Sequence, residues 1–151
     1  MEGTMNNEVD IARLATLIDT EGCIFITRAC RQKGRRNGAL VYHRLRVVVS
    51  NTDLGLMQWL KEHFGGYIGK QSAKSNKLSD RLCFNWIVHS KAAEDVLRFC
   101  LPYFLVKRKQ AEVALIFRDT FTNKRGRRGF AEGELTERDK LRDQLSELKR
   151  I

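Results

Sequence analysis

The sequence lacks any long apolar run, and no segment approaches the roughly 18 consecutive apolar residues that a membrane span requires. No signal-like apolar stretch stands at its start. We therefore expect a soluble protein. With 151 residues, of which 42% are hydrophobic, the chain has enough material for one core and too little for a second full domain. A single domain over residues 1–151 is predicted.

Cysteine is also scarce, and its four positions, Cys23, Cys30, Cys83 and Cys100, show no C-x-x-C spacing. Four residues in apolar segments are too few for a disulfide scaffold in a chain of this length. We expect reduced thiols and a reducing compartment. A zinc site made from these cysteines and the histidines is disfavoured, because free cysteine usually behaves as a small buried hydrophobic residue.

Acidic residues are absent from Gly22 to Thr52. Between Gly22 and Lys91 there are thirteen Lys or Arg against three Asp or Glu, whereas the rest of the chain contains fifteen of each sign. The whole charge excess therefore lies in one segment. A solvated surface normally mixes both signs, so this segment predicts a polyanionic partner, with nucleic acid ahead of a membrane surface.

Apolar periodicity and turn residues predict five helices and two β-hairpins. The first hairpin joins CIFITRACR to VYHRLRVVVS through a loop containing Gly and Asn, and the second joins YIGKQ to RLCFNWIVH. The predicted helices run from Asn6 or Asn7 to Gly22, through NTDLGLMQWLKEHF, from a Ser90 cap to Pro102, from Lys107 to about Thr122, and over about 134–150 as a peripheral C-terminal helix.

This order of elements predicts an α+β fold with a four-stranded antiparallel sheet, helices on one face and the other face bare. Alternation in the second strand puts Tyr42, Arg44, Arg46 and Val48 on one face and His43, Leu45, Val47 and Val49 on the other. A two-stranded ribbon fits the DNA major groove, so the arginine face is expected to form a DNA-binding saddle. Arg28 falls on the core side, which suggests either a β-bulge or an error in the assumed phase of the first strand.

The segment LATLIDTEG, Leu14 to Gly22, resembles the signature of LAGLIDADG homing endonucleases. Six of its nine positions agree, Glu21 is a conservative acid, and Thr16 and Thr20 are departures. The context agrees as well, with a helix before, a strand after, SNTD ending the second strand, FGGYI after the next helix and LPYFLVKRKQ opening the fourth. The resemblance spans roughly residues 11–122 and contains one copy of the motif.

The resemblance implies a site-specific, metal-dependent double-strand DNA endonuclease that acts as a homodimer on a long pseudo-palindromic site. Mg2+ is the implied cofactor, with Mn2+ as a substitute and Ca2+ as a non-cleaving one. Double-stranded DNA and a second copy are the implied partners, without a membrane or a small-molecule substrate. Three alternatives stay open: an intron RNA maturase, a DNA-binding regulator of the same fold without cleavage, and a structural RNA-binding protein.

Catalytic roles follow from the same resemblance. Glu21 would be the metal ligand, helped by the carbonyl of Thr20, while Lys107 would stabilise transition-state charge and Asn51 would organise water. Each has a structural alternative, namely a surface acid for Glu21, a solvated helix start for Lys107 and a turn residue for Asn51. Asp19 is open between a metal contact and hydrogen bonding at the helix end.

Two further sets complete the expected sites. One-face alternation and loop position predict DNA contacts from Thr27, Arg31, Lys33, Arg35, Arg36, Tyr42, Arg44, Arg46, Val48, Lys70, Gln71, Arg81 and Asn85. The single motif implies a dimer contact through the motif helix, formed by Ile11, Ala12, Leu14, Ala15 and Ile18.

Overall fold

A computed structural model describes residues 7–32, 39–70, 82–121 and 132–150. Its elements are α1 (Glu8–Glu21), β1 (Gly22–Gln32), β2 (Ala39–Asn51), α2 (Leu54–Phe64), β3 (Tyr67–Lys70), β4 (Phe84–His89), α3 (Ser90–Cys100), a 3-10 helix (Leu101–Tyr103), α4 (Arg108–Asp119) and α5 (Glu132–Leu148). Among these, no helix is both long and apolar enough to cross a membrane. The predicted α+β class is confirmed.

The four strands form one antiparallel sheet in the order β1-β2-β4-β3, as predicted. The β1–β2 pairing is regular from Gly22 opposite Val49 to Gln32 opposite Ala39. On its other side, β2 pairs with β4 from Arg46 opposite His89 to Asn51 opposite Phe84. Two hairpins therefore lie side by side, and β1 forms one edge of the sheet.

The hydrophobic core lies between one sheet face and the helices. Leu45, Val47 and Val49 on β2 are fully buried, and so is Trp86 on β4. Tyr42, Arg44, Arg46 and Val48 alternate with them and keep exposed surface. The alternation predicted for β2 is confirmed. We call the sheet face that carries Tyr42, Arg44, Arg46 and Val48, on the side away from the helices, the bare face.

No bulge lies at Arg28, because the pairing opposite His43 is regular. Both predicted explanations, a bulge and a phase error, were wrong, because an ion pair accommodates Arg28 on the core side. Arg28 is on the helix side but reaches Asp139 of α5, with Nε 3.7 Å from Oδ1, and it keeps nearly half of its side-chain surface in solvent. The same carboxylate lies 2.8 Å from Nε2 of buried His43. The helix supplies the counter-charge that the strand pattern lacks.

The motif helix buries a different face from the one expected at a dimer contact. Leu14, Ala15 and Ile18 have no exposed surface within a single chain and belong to its core. Their prediction as contact residues was wrong, because α1 packs them against its own sheet and helices. Ile11 and Ala12 remain half-buried.

Two helix predictions also need correction. α3 has His89 as its N-cap without a side-chain capping bond, and Ser90 has a positive φ of 52°, so Ser90 does not cap the helix. The C-terminal helix is not peripheral, since Leu141 and Leu145 are buried in the common core. Its apolar positions at i and i+4 supply one stripe that packs against the rest of the fold.

Gly22 is needed for close packing rather than for its backbone angle. Its φ of −102° is ordinary extended backbone. An added Cβ would lie 2.6 Å from Cα and 2.8 Å from the carbonyl oxygen of Ile18. Because both are backbone atoms, they cannot move aside cheaply, and the abrupt change from α1 to β1 requires glycine here.

We expect Gly22→Ala to lower the free energy of unfolding by about 3 kcal/mol, through overpacking against the Ile18 backbone. The control is Gly69→Ala, whose Cβ would meet only the Ile87 side chain at 3.7 Å. That change should be neutral or stabilise by up to about 1 kcal/mol, since alanine suits a strand better than glycine. Urea unfolding of both variants measures this, and equal effects would contradict the close-packing explanation.

Candidate active site and nucleic-acid interface

The motif acid Glu21 is exposed at the last position of α1 and is held by one partner. Asn51 Nδ2 donates to Glu21 Oε2 at 2.6 Å, and Asn51 Oδ1 accepts from the Asp53 N–H at 2.8 Å. The register that pairs Gly22 with Val49 brings the end of β2 beside the end of α1. Both ends of the Asn51 amide are bonded, so this side chain orients the Glu21 carboxylate.

The half-buried Asp19 side chain binds the turn that leads into α4. Its Oδ2 accepts from the N–H of Leu105 at 2.8 Å. Its Oδ1 accepts from the N–H groups of Val106 and Lys107 at 3.3 and 2.9 Å. Successive N–H groups of this kind form a concave anion site. These bonds support the structural alternative for Asp19, while its metal contact stays a prediction.

Lys107 makes the complementary connection in the opposite direction. Its Nζ donates to the carbonyl oxygens of Ile18 and Asp19, at 2.8 Å each. A cation is favourable at a helix C-terminus, and α1 has no basic residue in its own last turn, so Lys107 provides that charge. Its ammonium is therefore positioned at the end of the motif helix, and the freely solvated alternative does not describe it.

The bare face carries most of the predicted DNA-contact side chains that the structure describes. Arg44 lies with Cζ 5.7 Å from the centre of the Tyr42 ring, and the Thr27 hydroxyl donates to the Arg44 carbonyl at 3.2 Å. Register continues this face across the sheet in three rows: Phe25, Arg46 and His89; Cys23, Val48, Ile87 and Tyr67; and Ser50, Asn85 and Gly69.

The remaining predicted contacts have different outcomes. Lys70 lies on the same sheet face as Ile68, two residues earlier, and Ile68 packs against the core. Lys70 is therefore not on the bare face, although it is exposed. Arg31 lies in β1 opposite Leu40. The other five lie outside the described residues, namely Lys33, Arg35, Arg36, Gln71 and Arg81.

Two bare-face residues were missed from the sequence. The Tyr67 hydroxyl and His89 Nε2 share a hydrogen bond of 2.7 Å, and His89 stands opposite Arg46. Burial, with added repulsion from Arg44 and Arg46, lowers the pKa of His89, so its ring is neutral at neutral pH. Alternation from Asn85 through Ile87 to His89 was the available signal.

An apolar groove runs along α1 beside α2. It has a volume of about 720 Å³ and is lined by Val9, Ala12, Arg13, Thr16, Leu17, Leu56 and Trp59. Val9 is 56% exposed, although it is apolar. Leu56 and Trp59 form the far wall of this α1–α2 groove; both also pack against the core and keep some exposed surface. The apolar surface that the motif helix leaves open therefore includes Val9, Ala12 and Leu17 and excludes the predicted contact residues Leu14, Ala15 and Ile18.

The donor chemistry at the helix end suits a hard divalent cation. Glu21 contributes carboxylate oxygens, and the Thr20 backbone carbonyl is a second candidate donor, while the Thr20 hydroxyl donates to the Thr16 carbonyl at 2.8 Å. Oxygen donors of these kinds fit Mg2+ or Ca2+. Within the described ranges, no group of three or more His, Cys, Asp or Glu side chains could hold a metal ion.

Comparisons with known proteins identify the family and the fold. A sequence model described as LAGLIDADG endonuclease matches residues 14–116, more than half of the chain. No curated protein matches the chain. The fold is similar to the homing endonuclease I-CvuI in complex with its target in the presence of Ca, with a TM-score of 0.74 and 20% identity over 93% of this chain and 82% of that chain.

Two other solved structures resemble the fold. The archaeal intron-encoded homing endonuclease I-Vdi141I complexed with DNA has a TM-score of 0.72 and 14% identity, covering 93% of this chain and 84% of that chain. The homing endonuclease I-TnaI has a TM-score of 0.60 and 16% identity, covering 93% of both chains. Identities this low establish a common fold and leave the side-chain roles to the site itself.

We expect Asp19→Asn to lower the free energy of unfolding by about 2 kcal/mol without metal, because an amide loses one of the two oxygens that bind backbone N–H groups. Asp53→Asn is the matched control. Asp53 caps α2 through the Leu56 N–H, and asparagine caps as well as aspartate, so its effect should be small. Thermal unfolding in EDTA measures both, and an unchanged Asp19→Asn midpoint would refute the structural role.

Proposed function

Because the chain belongs to the LAGLIDADG endonuclease family, its activity is cleavage of DNA at specific sites, and we propose that it acts as a homodimer with divalent metal ions. One observation carries the proposal for the site. The exposed Glu21 carboxylate is fixed by Asn51 at the end of a helix that Lys107 caps, beside a bare cationic sheet face. Acid, cation and DNA surface therefore meet at the helix end.

Glu21 would bind the metal, with the Thr20 carbonyl as a second oxygen donor. Mg2+ bound there would polarise the scissile phosphate and make its bound water more acidic, with Mn2+ able to replace it and Ca2+ supporting binding without cleavage. Asn51 holds the carboxylate in one orientation, which reduces the reorganisation needed when DNA arrives. Asp19 is proposed to serve the scaffold, since backbone groups already occupy it.

Lys107 is proposed to act through its positive charge at the reacting phosphate. Its ammonium has three donors, and two of them bind the Ile18 and Asp19 carbonyls. The third remains for a phosphate oxygen or a water molecule. An ammonium already fixed by two carbonyls supplies charge stabilisation without having to be reoriented during the reaction.

The bare face is proposed to contact the target duplex. Arg44 and Arg46 are suited to guanine edges, since a guanidinium can bind O6 and N7 together, and Thr27, Tyr42, Val48 and Asn85 lie on the same face. Tyr67 and neutral His89 extend this surface at the junction of the hairpins. Phosphate contacts from the basic loop between β1 and β2 remain a prediction.

The homodimer is proposed to form through the α1–α2 groove. Ala12 and Thr16 stand four residues apart on α1 and are small, which allows two helices to approach closely. A two-fold contact brings the same groove from each copy together and places the two α1 ends beside each other. Each copy then supplies one Glu21 carboxylate to a paired site.

Replacing Glu21 with Gln should abolish cleavage and leave DNA binding intact or tighter, because the amide lacks the charge that binds metal and no longer repels phosphate. Lys107→Met should slow cleavage while DNA binding persists. A duplex selected for cleavage from a random library with Mg2+ serves both assays, with Ca2+ for binding and Mg2+ for cutting. If Glu21→Gln cuts at near the parent rate, Glu21 is not the metal ligand and the proposed site is wrong.

For the dimer, we expect sedimentation at roughly twice the 17.5 kDa chain mass. Ala12→Glu should shift the protein toward monomer, because a carboxylate in the apolar groove is costly to desolvate. Ala92→Glu makes the same change on the exposed surface of α3 and should leave the mass unchanged. Equal behaviour of the two variants would show that the groove is not the contact.

A further inference from the structure

A second groove lies at the free edge of β1, between the start of α4 and the end of α5. Its volume is about 510 Å³. It is lined by Cys23, Val106, Lys107, Lys109, Gln110, Leu148 and Lys149, three of which are lysines. We call it the lysine groove. Cys23 belongs to a bare-face row through its pairing with Val48, so the groove opens at the margin of that face.

Lys149 follows the end of α5 and is held against the sheet. Its Nζ lies 4.3 Å from the centre of the Phe25 ring, and Phe25 belongs to the bare face with 36% exposure. A cation above an aromatic ring is attracted without using its N–H donors in ordinary hydrogen bonds. The ammonium is therefore positioned beside the proposed DNA surface with donors available to an anion.

The opposite wall is the first turn of α4, which favours negative charge. The N–H groups of Arg108, Lys109 and Gln110 occupy the positions that have no intrahelical partner, and the positive end of the helix dipole lies here. Gln110 is only 8% exposed, and its Oε1 has no hydrogen-bond partner among the described residues. This oxygen is buried and can accept from an ammonium, whereas an anion would require the amide to turn and donate from Nε2.

Several contacts fix α5 and therefore the position of Lys149. Arg138 is almost completely buried, with Cζ 3.9 Å from the Phe121 ring centre and Nε donating to the Thr120 hydroxyl at 3.0 Å. Asp139 binds His43 on β2. A cation on a docked helix loses less conformational freedom when it binds an anion than one on a free terminus.

We propose that the lysine groove binds a phosphate group of the DNA backbone close to the one that is cut. Lys149 and Lys109 provide the positive charge from two walls, and Gln110 provides the polar contact at the base. The groove shares Lys107 with the proposed active site, so its phosphate belongs to the same stretch of duplex. This inference rests on the proposed function and gives α5 a part in DNA binding.

The test compares Lys149→Gln with Arg142→Gln, which removes the same charge from an exposed position of α5 outside the groove. Affinity for the selected duplex is measured in Ca2+ over a range of salt concentrations. Lys149→Gln should weaken binding by about tenfold, equally on altered sequences, and reduce the salt slope by about 0.9 for each protomer. Arg142→Gln should change both much less, and Lys149→Arg should restore the parent values.

The outcomes separate this inference from the proposed function. If the parent protein neither binds nor cuts any selected duplex, the proposed function fails. If the parent binds and cuts while Lys149→Gln matches Arg142→Gln in affinity and slope, the groove is not a phosphate site and Lys149 serves only the α5 terminus. Should Lys149→Gln unfold, Lys109→Gln on the other wall decides by the same measurement, because Lys109 is exposed and does not hold α5.

Discussion

Two reciprocal contacts join the end of α1 to the start of α4. The Asp19 carboxylate binds the backbone N–H groups that lead into α4, and the Lys107 ammonium binds the last carbonyls of α1. Asp19 binds N–H groups of the turn before α4 and of its N-cap, and Lys107 binds two carbonyls in the last turn of α1. The opposite charges lie close to the helix ends that favour them. This exchange joins the helix end that carries Glu21 to the start of α4, which forms one wall of the lysine groove.

A second constraint is the close approach at Gly22, which lets β1 begin directly against the backbone of Ile18. The strand then carries Ile24 into the core and Phe25 onto the bare face within a few residues of the helix. Because the register pairs Gly22 with Val49, the same turn also sets Asn51 beside Glu21. Packing geometry at one glycine thus positions both the orienting amide and the ring on which Lys149 rests.

The elements that depend on neighbouring residues along the chain could be predicted from the sequence. Two-residue alternation identified the buried and bare faces of β2, and turn residues identified both hairpins. The faces of α1 could not be assigned, because Leu14, Ala15 and Ile18 are equally apolar whether they pack within one chain or between two. Arg28 looked misplaced for a related reason. Its partner, Asp139, lies over a hundred positions away, and no local pattern connects them. The contacts of Asp139 with Arg28 and His43 likewise hold α5 against the sheet, which the sequence could not show.

The use of Asp19 by the scaffold has a consequence for the paired site. Of the two motif acids, only Glu21 remains exposed, so a single chain presents one motif carboxylate at the end of α1. On the proposed function, a second copy doubles the carboxylate charge where the two α1 ends meet, and that negative charge is unfavourable next to DNA phosphates until a divalent ion joins them. Assembly, DNA binding and metal binding are then linked energetically, because the divalent cation neutralises carboxylates and phosphates that would otherwise repel one another.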